Sequence, residues 1–354
     1  MPDMTAEGSF MPVKYGVDVM ELAVVIPVFN GAATLKRAVE SVCASTLFAA
    51  GRVSVVIVDD GSTDETPEIA KKLAGDSGRV ELVHSPHGGE AVARNLGMSV
   101  TPLEYVTFLD ADDYVSPDFY ERALSRFIER RDCGLAIAGF RRVDARSETD
   151  IMPPSRLVSK DALPNELVAL AQLGVVNPVW NKIYRTDVIR RHGLSFEAGR
   201  IIAVDLLFNL DYLAVCGDVL LVDLLGIFYV TNSESVTNQR VLHYDPELEL
   251  DSNAIYRSLI AAKLDHIGVP ADSVSTYFRN HDDVWFRSLV KNLFAPGTPY
   301  NLREKIRKVR IIMEQQPQRA NITSGVSSSN LAKLNRLLYR ANSATLAAVT
   351  YRWL

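Results

Sequence analysis

The sequence is poor in the features that mark specialised chain types. Its 354 residues include only three cysteines, Cys43, Cys133 and Cys216. That is too few and too scattered for a disulfide framework or a zinc site with close ligand pairs. Each is expected to be a small buried apolar residue. No stretch approaches the roughly 18 consecutive apolar residues that cross a bilayer. Residues 1–20 contain Asp3, Glu7 and Asp18 and no long apolar run, the character of neither a secretory signal nor an anchor. The expectation is therefore a cytoplasmic chain. The formal charge of -5 lacks the basic excess of a protein that grips nucleic acid, and no nucleic-acid partner is expected. Two phosphate-binding motifs are missing as well. FNGAAT follows the first apolar run with Gly31 alone where a dinucleotide site wants GxGxxG, and GxxxxGK[ST] does not occur. None of the six histidines has partners at metal-ligand spacing.

What remains is an ordinary globular composition, 47% apolar and 23% charged, in a chain long enough for one large domain and a smaller appendage. LAVVIPV from Leu22 and VSVVIV from Val53 read as strands buried on both faces, the mark of parallel sheets. Leu35, Ala38, Val39 and Val42 recur at helical spacing behind Thr34. Ile69, Ala70 and Leu73 do so behind the capping candidates Thr63 and Asp64. The alternation continues with strands at Val80–Val83, Tyr105–Leu109 and Leu135–Gly139, and helices at Ala91–Met98 and Pro117–Arg130. This predicts an α/β fold with a doubly wound, mostly parallel sheet flanked by helices, whose ligands bind beyond the carboxyl ends of the strands. Past about Thr237 only helical segments follow, at Ala254–Leu264, Val284–Leu293 and Leu302–Met313. The expected division is an extension over 1–20, an α/β domain over 21–240 and a helical region over 241–354.

Paired carboxylates end two of the buried strands: Asp59 and Asp60 in VIVDDGSTDET, and Asp110, Asp112 and Asp113 in VTFLDADDY. Like charges so close need a cation or a hydrogen-bonding ligand. A hard divalent ion such as Mn²⁺ or Mg²⁺, held by one or two carboxylates and the phosphates of a substrate, meets that need. Asp is also common in turns and caps, so either cluster alone has a plain structural explanation. The DxD of Asp110 and Asp112 also satisfies the bare pattern of an aspartyl phosphotransferase with Asp110 as nucleophile, although Tyr114 stands where such enzymes carry Thr.

Four segments in order, VVIPVFNGAATLKRAVESV, VIVDDGSTDET, GGEAVARNLGM and FLDADDYVSPDF, resemble family 2 of the glycosyltransferases, which have the GT-A fold. The resemblance is strong over Val24–Phe119 and thinner beyond. It implies a metal-dependent, inverting transfer of a sugar from a nucleoside diphosphate, UDP in the first instance, to a glycan, polyol or lipid-linked acceptor in surface polysaccharide synthesis. It further implies that Pro27, Phe29 and Asp59 line the base and ribose pocket, that Arg94 helps hold the nucleotide, and that Asp110 meets the ribose or diphosphate with Ala111 beside it. Asp112 is the implied metal ligand. Asp205 in VDLLFNL is the implied catalytic base, and Trp180 and Lys182 in VWNKIYR would border the donor sugar or acceptor. Asp205 also suits the N-cap of a helix over Leu206–Leu213, a role compatible with the first.

Two positions depart from the family pattern. Val204 stands where a Glu usually precedes the base. Asn232 closes a segment that often carries basic residues. A nucleotide-sugar-binding protein with little or no turnover is therefore an alternative reading. Near the end, Leu331, Leu334, Leu338, Ala341 and Thr345 form one helical stripe and Lys333, Arg336 and Arg340 another. Such a helix suits peripheral contact with an anionic membrane, and equally packing on the α/β domain or on a second copy in a homo-oligomer.

Overall fold

The computed structural model describes residues 22–200, 202–231, 246–295, 298–314 and 343–344. The extension over 1–20, Asn232 and every residue of the two terminal helical stripes lie outside the described residues.

The chain begins with β1 (Leu22–Val28), α1 (Leu35–Cys43), α2 (Thr46–Ala49), β2 (Val53–Asp59), α3 (Thr66–Gly75), β3 (Val80–His84), α4 (Glu90–Val100) and β4 (Tyr105–Phe108). All seven β1 residues are buried, as the unbroken apolar run requires of a central parallel strand. Leu35, Ala38, Val39 and Val42 are the buried face of α1. Asp64 secures the start of α3 by accepting from the Thr66 amide at 3.0 Å, and its other oxygen accepts from the Ala32 amide at 3.2 Å, tying the β1 and β2 loops together. Helix α4 lies close against the sheet at Gly97, where an added Cβ would stand 2.3 Å from Val25 Cγ1.

The next elements are β5 (Tyr114–Val115), α5 (Phe119–Ile128), β6 (Cys133–Ala138), β7 (Phe140–Val143), β8 (Glu148–Ile151), β9 (Arg156–Val158), α6 (Leu163–Leu173), β10 (Lys182–Arg185), α7 (Thr186–His192), α8 (Val204–Val215), β11 (Asp218–Val222) and β12 (Ile227–Val230). The main sheet has the order β3-β2-β1-β4-β10-β6-β11-β9. β1, β2, β3 and β4 are parallel, and β10 is antiparallel to both its neighbours. The expected mixed α/β sheet is thus present. A second sheet has the order β5-β12-β7-β8. Its strands are two to four residues long, too short to show a periodicity.

The helical region comprises α9 (Pro246–Ile267), α10 (Ala271–Leu293) and α11 (Leu302–Glu314). Ile260, Leu264 and Phe278 join the core of the α/β body, while Phe286, Leu289, Val290, Val309 and Ile312 form a second small core. Lys263 pairs with Asp211 of α8. Among the described residues no cysteine is bonded to another, and no helix is long and apolar enough to cross a membrane.

Candidate active site

Parallel pairing places the two acidic segments on one rim. The register sets Val28 beside Asp59 and Val25 beside Phe108, so the chain leaves β2 and β4 on either side of the end of β1. Asp60 donates its amide to Val28 O at 2.8 Å and Leu109 donates to Val25 O at 3.0 Å, extending both strands to the rim. Gly31 and Ala111 then come together across it, with 3.8 Å between the Ala111 Cβ and an ideal Cβ at Gly31.

The first pair of carboxylates is satisfied within the protein. Asp59 accepts from the Ser62 amide at 3.1 Å and lies 3.3 Å from His84 Nδ1. Asp60 accepts from Ser85 Oγ, the Gly88 amide and the Gly89 amide at 2.8–2.9 Å, holding the loop that opens α4. Gly89 has φ +85°, open to glycine at no steric cost. Phe29 is 48% exposed, with its ring centroid 4.3 Å from that of His87. This pair is an apolar platform at the rim. Pro27 is buried in β1 beneath it.

One turn into α4 stands Arg94, 1% exposed and surrounded by carboxylates. Its Nη1 donates to Asp205 Oδ1 at 2.6 Å, and its Nη2 lies 2.6 Å from Glu90 Oε1 and 2.9 Å from Asp110 Oδ1. Burial alone would drive the proton off the guanidinium, but Asp205, Glu90 and Asp110 outweigh it and raise the Arg94 pKa. Phe108 and Phe196 lie under the guanidinium, 5.9 and 5.4 Å from its carbon. Arg94 is therefore a clamp between three carboxylates. Glu90, which sequence reasoning missed, is signalled by its place four residues before Arg94 on one helix face. Its side chain is 57% open to solvent. Arg94 pulls its pKa down, while the neighbouring carboxylates Asp110, Asp205 and Asp112 push it up, and the net direction is upward.

Asp110, Asp112 and Asp113 each present a carboxylate oxygen within 4.8 Å of the others. Asp113 is fully buried; its Oδ1 accepts from the Val230 amide of β12 at 2.8 Å and its Oδ2 has no hydrogen-bond partner. Desolvation first and Asp110 next push its pKa up to about 9. Desolvation and Asp110 also raise Asp112. An orphaned buried oxygen among three hard oxygen donors is what a divalent cation of the Mg²⁺ or Mn²⁺ kind satisfies, so these residues fit such an ion. Arg37 holds the loop from outside by donating to the Asp112 carbonyl, with its guanidinium 5.0 Å from the centre of the Tyr114 ring.

Asp205 is on the first turn of α8, whose N-cap is Ala203 with φ +57°, and no side chain caps the helix. Asp205 is thus not the N-cap. Its side chain is 25% exposed, and burial raises its pKa against the opposing pull of Arg94. Behind it, α8 is anchored through polar side chains. Asn209 Nδ2 donates to the carbonyls of Val176, Asn177 and Pro178 at 2.9–3.1 Å, and its Oδ1 accepts from Tyr184 Oη at 2.6 Å. Lys182 Nζ donates to Val175 O at 2.8 Å, Asn181 Oδ1 at 2.9 Å and Pro178 O. Lys182 is 1% exposed, and its burial drives its pKa well down. It braces the loop at Val175–Pro178, behind α8. Trp180 is also buried, stacked on Tyr229 at 5.3 Å next to the strand residue that holds Asp113.

The arrangement, an exposed aromatic platform, a carboxylate triad and a lone carboxylate across one buried arginine, suits binding of a base and diphosphate on one side and proton removal on the other. Comparisons with known proteins bear on the family and the fold. The family model described as glycosyl transferase family 2 matches residues 23–193. The uncharacterized glycosyltransferase EpsJ of Bacillus subtilis is 25% identical over 295 residues, 81% of this chain and 83% of that one. The uncharacterized glycosyltransferase YibD of Escherichia coli is 34% identical over 183 residues, 51% of this chain and about half (52%) of that one. The crystal structure of S. aureus TarS 1-349 in complex with UDP-GlcNAc superposes with a TM-score of 0.56 at 18% identity, over 94% of this chain and 91% of that chain.

Proposed function

From the premise that residues 23–193 form a family 2 glycosyltransferase segment on a GT-A fold, and that the protein is a glycosyltransferase, we propose a metal-dependent, inverting enzyme that transfers a sugar from a UDP-sugar to an acceptor hydroxyl. The observation that carries this reading is the Arg94 clamp, which joins Asp110 of the carboxylate triad to Asp205. The UDP donor is suggested by TarS, whose crystal structures hold UDP and UDP-GlcNAc. Synthesis of surface polysaccharide or a related glycan is the setting the resemblance suggests.

In this reading the base of the nucleotide lies on Phe29 and His87, and its ribose and diphosphate extend past Asp59 to Asp110. Asp110, Asp112 and Asp113 would hold the divalent ion, which supplies positive charge to the diphosphate as it leaves. Asp205 accepts the proton of the acceptor hydroxyl while that oxygen bonds to the anomeric carbon and the bond from this carbon to the diphosphate breaks. A single displacement inverts the anomeric centre and needs only this one carboxylate on the acceptor side. Arg94 donates to Asp205 and keeps its basic oxygen aimed. Val204 removes no group that this step requires.

A thermal-shift titration tests the proposal. UDP with Mn²⁺ should raise the melting temperature more than either alone, because a ligand that binds only the folded state stabilises it. Asp112→Ala should abolish the metal-dependent part. No metal-dependent gain with UDP or any other nucleoside diphosphate would overturn it.

A further inference from the structure

A cavity of about 740 Å³ opens between α6, α8, α9 and α10, and it adjoins the turn that carries Asp205. Its volume is that of a small-molecule site. Ala203 and Leu206 line it, two residues before and one after Asp205. Both flank Asp205 on the entry to α8, and the Asp205 side chain is held by Arg94. One turn of α8 is thus the shared wall of the acidic rim and the cavity.

The far wall comes from α9 and α10. Tyr256 stacks on His281 with centroids 4.3 Å apart and planes at 14°, and Tyr277 lies parallel to the same imidazole at 6.5 Å and 5°. The two tyrosine hydroxyls bond to each other, and His281 Nε2 lies 2.8 Å from Asn253 Oδ1. Such a platform suits the C–H face of a sugar ring, whose hydrogens carry partial positive charge toward the electron-rich ring faces. Gln172, Asn177 and Asn280 also line the cavity, and among the described residues their amide side chains have no hydrogen-bond partner. Each both donates and accepts, as neighbouring hydroxyls require.

The charge of the lining does not favour a phosphate. Arg287 Nη2 lies 3.2 Å from Asp283 Oδ2, so the cation there is already paired with an anion. Burial first, and Arg257 second, lower the His281 pKa to about 4, which leaves its ring neutral at physiological pH. A neutral, hydroxyl-rich ligand is what this lining matches.

We infer that the cavity between α6, α8, α9 and α10 binds the neutral glycan or polyol portion of the acceptor, presenting its terminal hydroxyl around the first turn of α8 to Asp205. The inference rests on the proposed transfer reaction and assigns acceptor choice to the helical region.

The test uses the full chain in two parallel measurements. UDP binding with Mn²⁺ is followed by calorimetry. Binding of a panel of oligosaccharides ending in glucose, galactose, N-acetylglucosamine or N-acetylgalactosamine, with glycerol and ribitol, is followed by saturation-transfer NMR. At least one panel member should bind. Asn177→Ala with Asn280→Ala should weaken it at least tenfold, and Asn280→Trp should abolish it, with UDP affinity unchanged in both. Sugar binding that survives in both variants, or a panel without a binder, overturns the inference while UDP binding stands. Absence of UDP binding by the unaltered protein overturns the proposed function, and the acceptor assignment with it.

Discussion

Arg94 and Asp205 lie 111 positions apart in the chain and meet at 2.6 Å, Nη1 to Oδ1, in the interior of the site. The same guanidinium reaches Asp110 at 2.9 Å. One rigid, planar cation therefore sets the spacing between the metal-fitting triad and the carboxylate proposed as base. A lysine has the charge but not the fork geometry that serves several carboxylates at once.

Arg94→Lys should consequently lower kcat by about 100-fold, roughly 2.7 kcal/mol of barrier, while leaving KM for the donor within a few-fold. Removing the charge altogether, as in Arg94→Met, leaves Asp205 and Asp110 facing each other, a loss on the order of 3–5 kcal/mol for a broken buried pair. Steady-state kinetics and denaturant titration read the two effects.

Asp113→Asn separates metal binding from folding. The buried oxygen that lacks a partner and the raised pKa mark Asp113 as an acid that keeps its proton at neutral pH in the metal-free protein and gives it up to a bound cation. The amide should leave the metal-free melting temperature unchanged or higher and should remove the increment that Mn²⁺ adds in the presence of UDP. Differential scanning fluorimetry with and without the ion measures both.

Lys182→Met should destabilise the protein by about 2–4 kcal/mol, because the carbonyls of Val175 and Pro178 lose a buried donor. Its activity should fall through kcat rather than through nucleotide affinity, since the residue braces α8 from behind. Chemical denaturation combined with UDP calorimetry distinguishes this from a direct contact with the donor.

His281 ties stability to acidity. Its folded pKa is depressed to about 4 by burial and then Arg257, against roughly 6.5 in the unfolded chain. The unfolded state therefore binds the extra proton between these values. The His281 contribution is complete above about pH 6.5 and is lost as the pH falls toward 4, on the order of 1–3 kcal/mol. His281→Gln should flatten that part of the stability profile, as measured by urea titrations across the range.

Much of the catalytic half was legible because its information is local. Apolar runs such as Leu22–Val28 declare a buried parallel strand, and the carboxylates at their ends declare the rim. What resisted reading depends on distant partners. That Asp113 turns inward is decided by the Val230 amide, 117 positions away. That Lys182 also serves the carbonyls of Val175 and Pro178 is decided by how the nearby loop folds under it, which no local pattern declares. Phe140–Val143 and Glu148–Ile151 pair as a hairpin in the second sheet without any alternating pattern, because their length gives none. Glu90 was within reach, since its spacing to Arg94 is a helical one.

The most direct test of the account compares Asp205→Asn with the unaltered enzyme, measuring turnover of the donor beside UDP affinity in the presence of Mn²⁺. The asparagine can still accept from Arg94 but is too weak a base to take the acceptor's proton. The account predicts turnover reduced at least 1,000-fold, about 4 kcal/mol, with the UDP dissociation constant within threefold of the unaltered value. Turnover within tenfold of the unaltered enzyme would contradict it.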